Sequence, residues 1–373
     1  MSDLPQSISV PDRILMGPGP SNCPPSVLAV MAQPTVGHLD PWFIGRMNEV
    51  QDMLRAVMRT SNRLTLPISA TGSAGMETCL VNLIERGDRC VIGVNGVFGQ
   101  RMSDIVGRAG GELVRVEAPW GEPLDLAAIE GALNGGPTKL VAVVHAETST
   151  GVLQPIEEVS RMTHEHGALL VVDTVTSLGG HPVLVDEWGI DACYSGTQKC
   201  LSVPPGLSPV SFSDRAVEAL QSRKTKVQSW YLDLNMICSY WGEDRVYHHT
   251  APVNMIYALH EGLRLILEEG LEARWERHRR NHELLKARLA ELGMGLLPKA
   301  EHSLWTLNAV TLPDGVDDPA ARKEMLARYG LEIGGGLGEL KGRIWRVGLM
   351  GYNSTERNVA LFAAAARNAL RNG

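Results

Sequence analysis

Short apolar runs alternate with longer amphipathic stretches along the first two-thirds of the chain. Several runs, such as Leu-Leu-Val-Val at residues 169–172, are apolar at consecutive positions, which is typical of strands buried on both faces. The order of the segments predicts an α/β fold in which helices cover a mostly parallel, seven-stranded sheet. Strands are predicted near residues 64–69, 90–94, 113–116, 140–145, 169–175, 193–195 and 209–212, and helices near residues 74–86, 99–109, 125–133, 156–166 and 214–222.

The pattern changes after residue 252, where a long helical stretch runs to Leu292 and is broken or kinked at Gly270. Strands near residues 305–310, 331–334 and 344–349 and a final helix near 355–371 predict a smaller α+β domain. Residues 17–22 contain too much glycine and proline for a regular element and predict an ordered loop. The predicted units are an N-terminal segment at 1–20, a large domain at 21–260 and a small C-terminal domain at 261–373.

The length of 373 residues suits two domains with sizeable cores. With 35 basic and 42 acidic side chains the net charge is −7, so nucleic acid is not an expected partner. No run reaches the roughly 18 apolar residues of a membrane span, so no membrane is expected either. The six cysteines are scattered and the N-terminus has no leader-like pattern, which predicts reduced thiols and a cytoplasmic location.

Polar residues stand where several predicted strands end, and parallel sheets bind ligands at these carboxyl ends. The strand at 64–69 is followed by Thr71, Gly72 and Ser73 and then by a helix. Free N–H groups and the helix dipole attract anions at such a position, and glycine permits a close approach. An ordinary helix cap explains these residues equally well when they are taken alone.

A carboxylate and an amine follow two further strands. Asp173 ends the most apolar run of the chain, and Lys199 lies between small polar residues and a Pro-Pro-Gly segment after the next strand. A buried carboxylate needs a partner, and a desolvated amine has the lowered pKa that Schiff-base chemistry requires. A structural ion pair at Asp173 and a solvated loop lysine are the alternatives.

Taken together, the three strand ends match the needs of pyridoxal 5'-phosphate. The helix start at Gly72 would take the phosphate, Asp173 the ring nitrogen and Lys199 the aldehyde. Few other small molecules need an anion site, a carboxylate and an amine on strands of one sheet. The residues therefore predict an enzyme that uses this cofactor.

Six motifs resemble, in order and spacing, the class V aminotransferases of fold type I, and most of all the alanine–glyoxylate and serine–pyruvate aminotransferases. The resemblance covers nearly the whole chain and implies the fold-type-I architecture. The motifs are Leu-Met-Gly-Pro-Gly-Pro-Ser-Asn at 15–22, Asn-Gly-Val-Phe-Gly-Gln-Arg at 95–101, His-Ala-Glu-Thr-Ser-Thr-Gly-Val-Leu-Gln-Pro at 145–155, Ser-Gly-Thr-Gln-Lys at 195–199, Tyr-His-His-Thr at 247–250, and Gly-Gly-Gly-Leu-Gly at 334–338 with Arg-Val-Gly-Leu-Met-Gly at 346–351.

The resemblance implies further roles around the cofactor. Phe98 would stack on one face of the pyridine ring, where relatives often carry Trp, and Val175 would pack on the opposite face. Thr148 would lie near the ring hydroxyl. Where Ser73 stands, some relatives carry His. The phosphate would be bound by the helix start and by the amide before the lysine, namely by Thr71, Gly72, Ser73 and Gln198.

The resemblance also implies how substrates and a second subunit take part. Arg346, in the predicted strand at 344–349, would bind the substrate carboxylate, with a surface ion pair as the alternative. Gly17 and His38 would also contact substrate. Tyr247 and Thr250 would reach the phosphate site of the other subunit, which implies a homodimer.

The implied reaction is a ping-pong transamination through an imine at Lys199, from L-alanine or L-serine to glyoxylate or pyruvate. Lys199 would move a proton as base and then as acid, while Asp173 keeps the ring nitrogen protonated. Two related activities are rivals, namely those of the (S)-ureidoglycine–glyoxylate and the pyridoxamine–pyruvate aminotransferases. The former carry Asn where Tyr247 stands and Gln where His38 stands, so the sequence favours alanine or serine.

Two other kinds of protein are disfavoured. A cysteine desulfurase needs a nucleophilic cysteine in its C-terminal part, and no cysteine follows Cys238. A catalytically silent protein on the same scaffold would not need both Lys199 and Arg346.

Two further patterns do not indicate a ligand site. His278 and His282 lie four residues apart on a predicted helix, but arginines surround them, which opposes a metal, and none is expected. The glycine-rich run at 334–338 neither follows a first strand nor opens a helix, so it is no dinucleotide-binding motif. The arginines alternate with glutamates and predict a solvated helix face formed by Arg274, Arg277, Arg279 and Arg280.

Overall fold

The computed structural model describes residues 7–372 of the chain. Residues 1–6, on which most of the prediction of no leader rests, and Gly373 lie outside the described residues. The described strands are β1 (Ile14–Leu15), β2 (Leu64–Ile68), β3 (Arg89–Val94), β4 (Glu112–Glu117), β5 (Leu140–Val144), β6 (Ala146–Glu147), β7 (Val152–Leu153), β8 (Leu169–Asp173), β9 (Ala192–Tyr194), β10 (Ser208–Phe212), β11 (Leu307–Thr311), β12 (Leu331–Glu332), β13 (Gly334–Gly335) and β14 (Ile344–Gly348). The described α-helices are α1 (Pro25–Met31), α2 (Pro41–Met58), α3 (Gly72–Leu83), α4 (Val97–Ala109), α5 (Leu126–Asn134), α6 (Glu157–Glu165), α7 (Asp214–Gln221), α8 (Leu234–Trp241), α9 (Val253–Glu269), α10 (Leu271–Ala290), α11 (Asp318–Tyr329) and α12 (Glu356–Asn372).

Seven strands form one large sheet in the order β2-β10-β9-β8-β5-β3-β4. Neighbouring strands are parallel except at β10, which is antiparallel to both β2 and β9. Strands β5 and β8 are buried along their whole length because helices α3, α4 and α6 pack against them. The predicted α/β fold with a mostly parallel seven-stranded sheet is confirmed.

The strand directions decide where ligands can bind. Because β10 is antiparallel to both of its neighbours, β2 runs in the same direction as β9, β8, β5, β3 and β4. The carboxyl ends of six strands therefore meet at one edge of the sheet, as expected for an α/β sheet that holds a site. Two of the helices that return along the sheet begin at a side-chain cap, Asp125 for α5 and Ser213 for α7, whereas α3, α4 and α6 have no such cap.

A second group of buried side chains surrounds a three-stranded antiparallel sheet of order β11-β14-β13. Helix α12 packs on α10 and α11 there, and the rings of Trp345 and Phe362 meet edge to face at 6.4 Å. Strand β1 pairs in parallel with β12, so the start of the described chain packs with its C-terminal part. The domain boundaries after residues 20 and 260 stay predictions.

The prediction of a solvated face on α10 is wrong for Arg274, which is 5% exposed. This arginine donates to the carbonyls of Gly179 and Cys200 and to Glu269, and these partners compensate for its burial. His278 and His282 are buried as well. Helix α10 is covered on two sides, by the loop after β9 at Arg274 and by β11 at His282. The pattern of charges along its sequence does not show which of its faces these contacts bury.

Four helices, α1, α2, α8 and α11, are absent from the sequence-based prediction. Helix α2 does carry a local signal, since the Asp40 side chain accepts from the Trp42 amide and Pro41 stands at the first helical position. The predicted break at Gly270 separates α9 from α10, and this glycine has a φ of +83°. None of the helices within residues 7–372 is long and apolar enough to cross a membrane.

Gly75 brings helix α3 close to the sheet. A Cβ at this position would overlap the Ser208 hydroxyl and lie 3.1 Å from Tyr194 Cβ. Both neighbours are buried in a close-packed interior and cannot move away at little cost. We expect Gly75→Ala to lower the free energy of unfolding by about 1–3 kcal/mol, as overpacking does, measured by urea unfolding followed by circular dichroism.

Gly131→Ala is the matched control, because Gly131 lies inside α5 and a Cβ there meets nothing within 4 Å. Alanine favours a helix over glycine by up to about 1 kcal/mol, so this variant should be as stable as the wild-type protein or slightly more stable. Equal stability of the two variants would contradict the close packing of α3 on the sheet.

Candidate active site

Asp173 and Tyr194 lie side by side at the carboxyl ends of β8 and β9, where they are paired in register. The Tyr194 hydroxyl donates a 2.6 Å hydrogen bond to Asp173 Oδ2, and the Val175 amide donates one of 2.8 Å to Oδ1. Burial raises the pKa of Asp173 to about 6, and the Tyr194 hydrogen bond opposes this shift. The carboxylate is thus held in one orientation, and each oxygen can accept one further bond.

Lys199 follows β9 and is 7% exposed. The loop at residues 17–22 encloses it, since the Pro18 carbonyl accepts a hydrogen bond from Lys199 Nζ and the Ser21 hydroxyl donates to the Lys199 carbonyl at 2.8 Å. A Cβ at Gly19 would lie 2.7 Å from Nζ, and Gly19 has a φ of +107°, so glycine is required there. Burial lowers the pKa of Lys199 to about 8, so the neutral amine is well populated near that pH.

The start of helix α3 offers free backbone N–H donors, and this helix packs on β9, the strand that precedes Lys199. Thr71 stands before the first helical residue, Gly72, and its side chain makes no capping hydrogen bond. The N–H groups of the first helical turn therefore have no side-chain partner from the N-cap. Ser73 is exposed in the same turn, and its hydroxyl accepts a 3.0 Å hydrogen bond from Arg101.

Gln198 and two glycines complete this helix start. The Gln198 Oε1 atom is buried without a hydrogen-bond partner. A Cβ at Gly72 would lie 3.5 Å from Gly196 Cα and 3.6 Å from Val175 Cγ2, so the two chain segments face each other at ordinary contact distance. The uncapped start of α3 and the unpartnered Gln198 amide therefore form a site that suits an anion.

Phe98 lies in helix α4, which follows β3, and Thr148 directly follows β6, the short strand after β5. Phe98 lies in the first turn of α4, and its amide donates a 3.2 Å hydrogen bond to Glu147 Oε2. The Thr148 hydroxyl is buried and lies 3.0 Å from that of Thr176. The strand ends therefore bring an aromatic ring and a hydroxyl to the same edge of the sheet as Asp173.

Arg346 lies in the middle of β14, paired with Gly334 on one side and Ala309 on the other. It is 9% exposed, and its Nε donates to the Gly335 carbonyl at 2.7 Å. Among the residues that the structure describes, no acceptor takes up its two terminal nitrogens. Gly17 packs on the same strands, since a Cβ there would lie 3.6 Å from Gly334 N. Arg346 thus presents a pair of unused donors, which suits a carboxylate.

Tyr247, Thr250 and His38 lie apart from this buried cluster. Tyr247 is 60% exposed, and its hydroxyl lies 3.5 Å from Thr250 Oγ1. The rings of Tyr247 and His38 are 5.4 Å apart. His249 attaches the segment to the main sheet, because its Nε2 lies 2.7 Å from the hydroxyl of Ser69, just after β2. Within one described chain, these three predicted site residues form a surface group of their own.

Four buried charged side chains influence one another in the site: Lys199, Arg346, Asp173 and Glu147. Burial lowers the pKa of Arg346 and raises that of Glu147. Attraction to Asp173 and Glu147 raises the pKa of Lys199 and so opposes the larger effect of burial, whereas Arg346 lowers it. Two positive and two negative groups therefore share one region of low dielectric.

Tyr194 and Glu147 are site residues for which the sequence predicts no role. Tyr194 immediately precedes the motif at 195–199, and Glu147 lies inside the motif at 145–155. Both motifs could have drawn attention to these residues. Their partners, however, come from other strands and helices, so only the strand register and the packing of α4 reveal their contacts.

The family described as "Aminotransferase class-V" has a sequence model that matches residues 15–357. The alanine–glyoxylate aminotransferase of Callithrix jacchus is 42% identical over 368 residues, which cover 98% of this chain and 89% of the relative. The (S)-ureidoglycine–glyoxylate transaminase of Bacillus subtilis is 39% identical, with coverage of 98% and 92%. The crystal structure of an alanine–glyoxylate aminotransferase from Nostoc sp. has a TM-score of 0.97 and 49% identity, covering 99% of this chain and 98% of that one.

Asp173→Asn, made in protein freed of cofactor, tests how much the buried negative charge of Asp173 lowers the free energy of unfolding. Asparagine keeps an oxygen for the Val175 amide, and the Tyr194 hydroxyl can turn to accept from the new amide. Because the folded pKa of Asp173 is raised to about 6, the wild-type protein loses stability as pH rises from about 4 to 6, whereas the variant does not. We expect the variant to be more stable by about 3 kcal/mol at pH 8 and no more stable at pH 4.

Asp186→Asn is the control of opposite sign. Partial burial raises the pKa of Asp186, but hydrogen bonds from Thr60 and Ser61 outweigh this effect and lower it. Its ionised form therefore stabilises the fold, and the variant should be less stable than the wild-type protein at pH 8. Urea unfolding at several pH values measures both variants, and a loss of stability in Asp173→Asn at pH 8 would contradict the prediction.

Proposed function

The chain belongs to the class V aminotransferases, which depend on pyridoxal 5'-phosphate, and we propose that it transfers the amino group of L-alanine or L-serine to glyoxylate or pyruvate. Relatives named alanine–glyoxylate aminotransferase that match nearly the whole chain support alanine as donor and glyoxylate as acceptor. The single observation that carries it is Arg346, whose two terminal nitrogens lack a protein partner among the described residues.

The residues present fit the cofactor at each of its polar ends. When bound, pyridoxal phosphate supplies an aldehyde that condenses with amines and a ring that accepts the electron pair released at the substrate Cα. The uncapped start of α3 at Gly72 and the unpartnered Gln198 amide suit the phosphate, since an amide flip places a donor where Oε1 now lies. Asp173 suits the ring nitrogen, and Phe98 and Val175 offer apolar groups for its two faces.

Lys199 performs the proton transfer. Its amine accepts a proton from the substrate Cα and later returns one. Because the pKa of Lys199 is about 8, the neutral and the protonated amine are both populated near that pH, so the same group serves as base and as acid. The loop at 17–22 excludes water and directs Nζ. Asp173 is ionised above about pH 6, so at neutral pH it would accept a hydrogen bond from the protonated ring nitrogen of a bound cofactor.

Arg346 distinguishes the substrate classes. Alanine, serine, glyoxylate and pyruvate all carry a carboxylate, which a guanidinium binds through two parallel hydrogen bonds. Gly335 holds the guanidinium by its Nε, so the remaining nitrogens keep a fixed direction. Pyridoxamine has no carboxylate, and a site built around this arginine does not favour it as the amino donor.

(S)-Ureidoglycine is the second candidate donor, because it carries a carboxylate and a relative named for it is 39% identical. This chain is expected to differ from the ureidoglycine enzymes at two positions that would contact the donor or the cofactor. The resemblance implies Asn where Tyr247 stands and Gln where His38 stands in the ureidoglycine enzymes, whereas this chain has a phenol and an imidazole there. Neither side chain supplies the amide that would pair with a ureido group, which favours alanine or serine.

A homodimer with shared sites completes the proposal. Tyr247 and Thr250 are exposed and lie together at the surface. In a symmetric dimer, a patch on each subunit can reach the site of the other. We assign these two residues to the phosphate of the partner subunit, where their hydroxyls would add donors to those of α3 and Gln198.

A panel of donors tests the substrate assignment. With glyoxylate as acceptor, alanine or serine should give kcat/KM values well above those of ureidoglycine, and pyridoxamine with pyruvate should be poor. Arg346→Gln should lower kcat/KM for alanine about 100-fold or more, because it removes charged hydrogen bonds to the carboxylate. Coupled assays of keto-acid formation measure these rates.

Arg343→Gln is the matched control, since Arg343 is exposed just before β14. It should leave all rates near those of the wild-type enzyme. A higher rate with ureidoglycine than with alanine and serine would overturn the assignment in favour of the second candidate.

Mixed dimers test the shared site. Lys199→Ala subunits and Tyr247→Ala/Thr250→Ala subunits are expected to have little activity when each is pure. After unfolding and refolding together, random pairing gives mixed dimers with one complete site, and the activity should reach about a quarter of the wild-type value. Activity no higher than the mean of the two pure variants would show that Tyr247 and Thr250 act within their own subunit or not at all.

A further inference from the structure

Glu147 is a buried carboxylate in the short strand β6 that the proposed reaction does not use. Its Oε2 accepts a 3.2 Å hydrogen bond from the Phe98 amide, and its Oε1 accepts bonds of 3.0 and 2.6 Å from the amide and the hydroxyl of Ser149. The Ser149 hydroxyl in turn accepts a 3.0 Å bond from the Val97 amide. The two side chains together therefore hold the first turn of helix α4.

Helix α4 needs this support because it begins without a cap of its own. The residue before it, Gly96, has no side chain. A Cβ at Gly96 would overlap the Glu147 carboxyl group and the Ser149 hydroxyl, so glycine leaves the space into which they reach. The helix dipole favours a negative group at this terminus, and the more so where water is excluded. Glu147 and Ser149 take the place of the missing cap.

We propose that Glu147 is the positioning residue for the ring of Phe98. The amide that Glu147 holds belongs to Phe98 itself, so the carboxylate fixes the backbone from which the ring projects. The inference rests on the role proposed above for Phe98, that of stacking on the pyridine ring of the cofactor.

A neutral side chain of the same shape cannot replace this carboxylate. Glutamine has one acceptor oxygen and one NH₂ group, so at position 147 it would bring a donor against the amide of either Phe98 or Ser149. A buried donor that faces a donor loses its hydrogen bond and is repelled. Glu147→Gln therefore loosens the start of α4 with almost no change in side-chain volume.

A double-mutant cycle on the binding of pyridoxal 5'-phosphate to the full-length apoprotein tests the proposal. Phe98→Ala should raise the dissociation constant about 10- to 100-fold, the range of a lost aromatic stack. Glu147→Gln should raise it about 5-fold or more, because it leaves a buried amide without its acceptor. The double variant should bind as Phe98→Ala does, since no ring is left to position.

Ser149→Ala supplies a milder second variant, because it removes only the hydroxyl that links Glu147 to the Val97 amide. Its smaller loss of affinity should also vanish in the Phe98→Ala background. At saturating cofactor, both Glu147→Gln and Ser149→Ala should reduce the visible circular dichroism of the bound cofactor while its absorbance is kept. A general loss of stability would not change the dichroism of a fully bound cofactor in this way.

The outcomes separate this inference from the proposed function. If Phe98→Ala leaves the affinity unchanged, the stacking role itself is wrong and the inference falls with it. If Phe98→Ala weakens binding but the two losses multiply in the double variant, Glu147 acts independently of the ring and only the inference is overturned. Wild-type affinity and dichroism in Glu147→Gln would overturn it as well.

Discussion

The burial of charge is the constraint on which the site depends. Lys199 and Arg346 share a closed region with Asp173 and Glu147, where an unpaired charge would cost several kcal/mol. The signs balance, and backbone groups at the ends of elements supply much of the remaining hydrogen bonding. These groups are the Pro18 and Gly335 carbonyls and the Val175 and Phe98 amides. Because they come from different parts of the chain, the charges are tolerated only when the sheet, the N-terminal loop and β14 are all in place.

The N-terminal loop contacts both Lys199 and β14, the strand that carries Arg346. The Met16 carbonyl accepts a 2.8 Å hydrogen bond from the Gly348 amide, and a Cβ at Gly348 would overlap the Gly17 carbonyl. This part of the loop therefore packs closely against β14, the strand that carries Arg346. Two residues further on, Gly19 touches the Lys199 side chain. A few residues of backbone therefore set the spacing between the Lys199 amine and the Arg346 guanidinium. Glycine is used at both contacts because any side chain there would push these groups apart.

The sheet and the family could be predicted from the sequence because each rests on local patterns. Strands buried on both faces leave uninterrupted apolar runs, and Asp173 and Lys199 stand out as polar residues that end or follow them. The roles of Tyr194 and Glu147 could not be predicted, since their partners are set by strand register and by the packing of α4. Arg274 was misjudged for a related reason. Its sequence neighbours are charged, but its partners are Glu269 at the end of α9 and carbonyl oxygens of the loops after β8 and β9.

The buried cluster does not select among the three proposed donors that carry a carboxylate. Alanine, serine and ureidoglycine each carry an amine beside a carboxylate, and the roles proposed for Lys199 and Arg346 involve only those two groups. Selectivity must therefore come from side chains that meet the rest of the molecule. His38 and Tyr247 belong to a surface group of aromatic rings and imidazoles in which Trp230 stacks on His248 at 4.7 Å and His248 Nε2 is buried without a partner. Since these residues lie outside the buried cluster, they can differ between enzymes without disturbing the balance of charge on which catalysis relies.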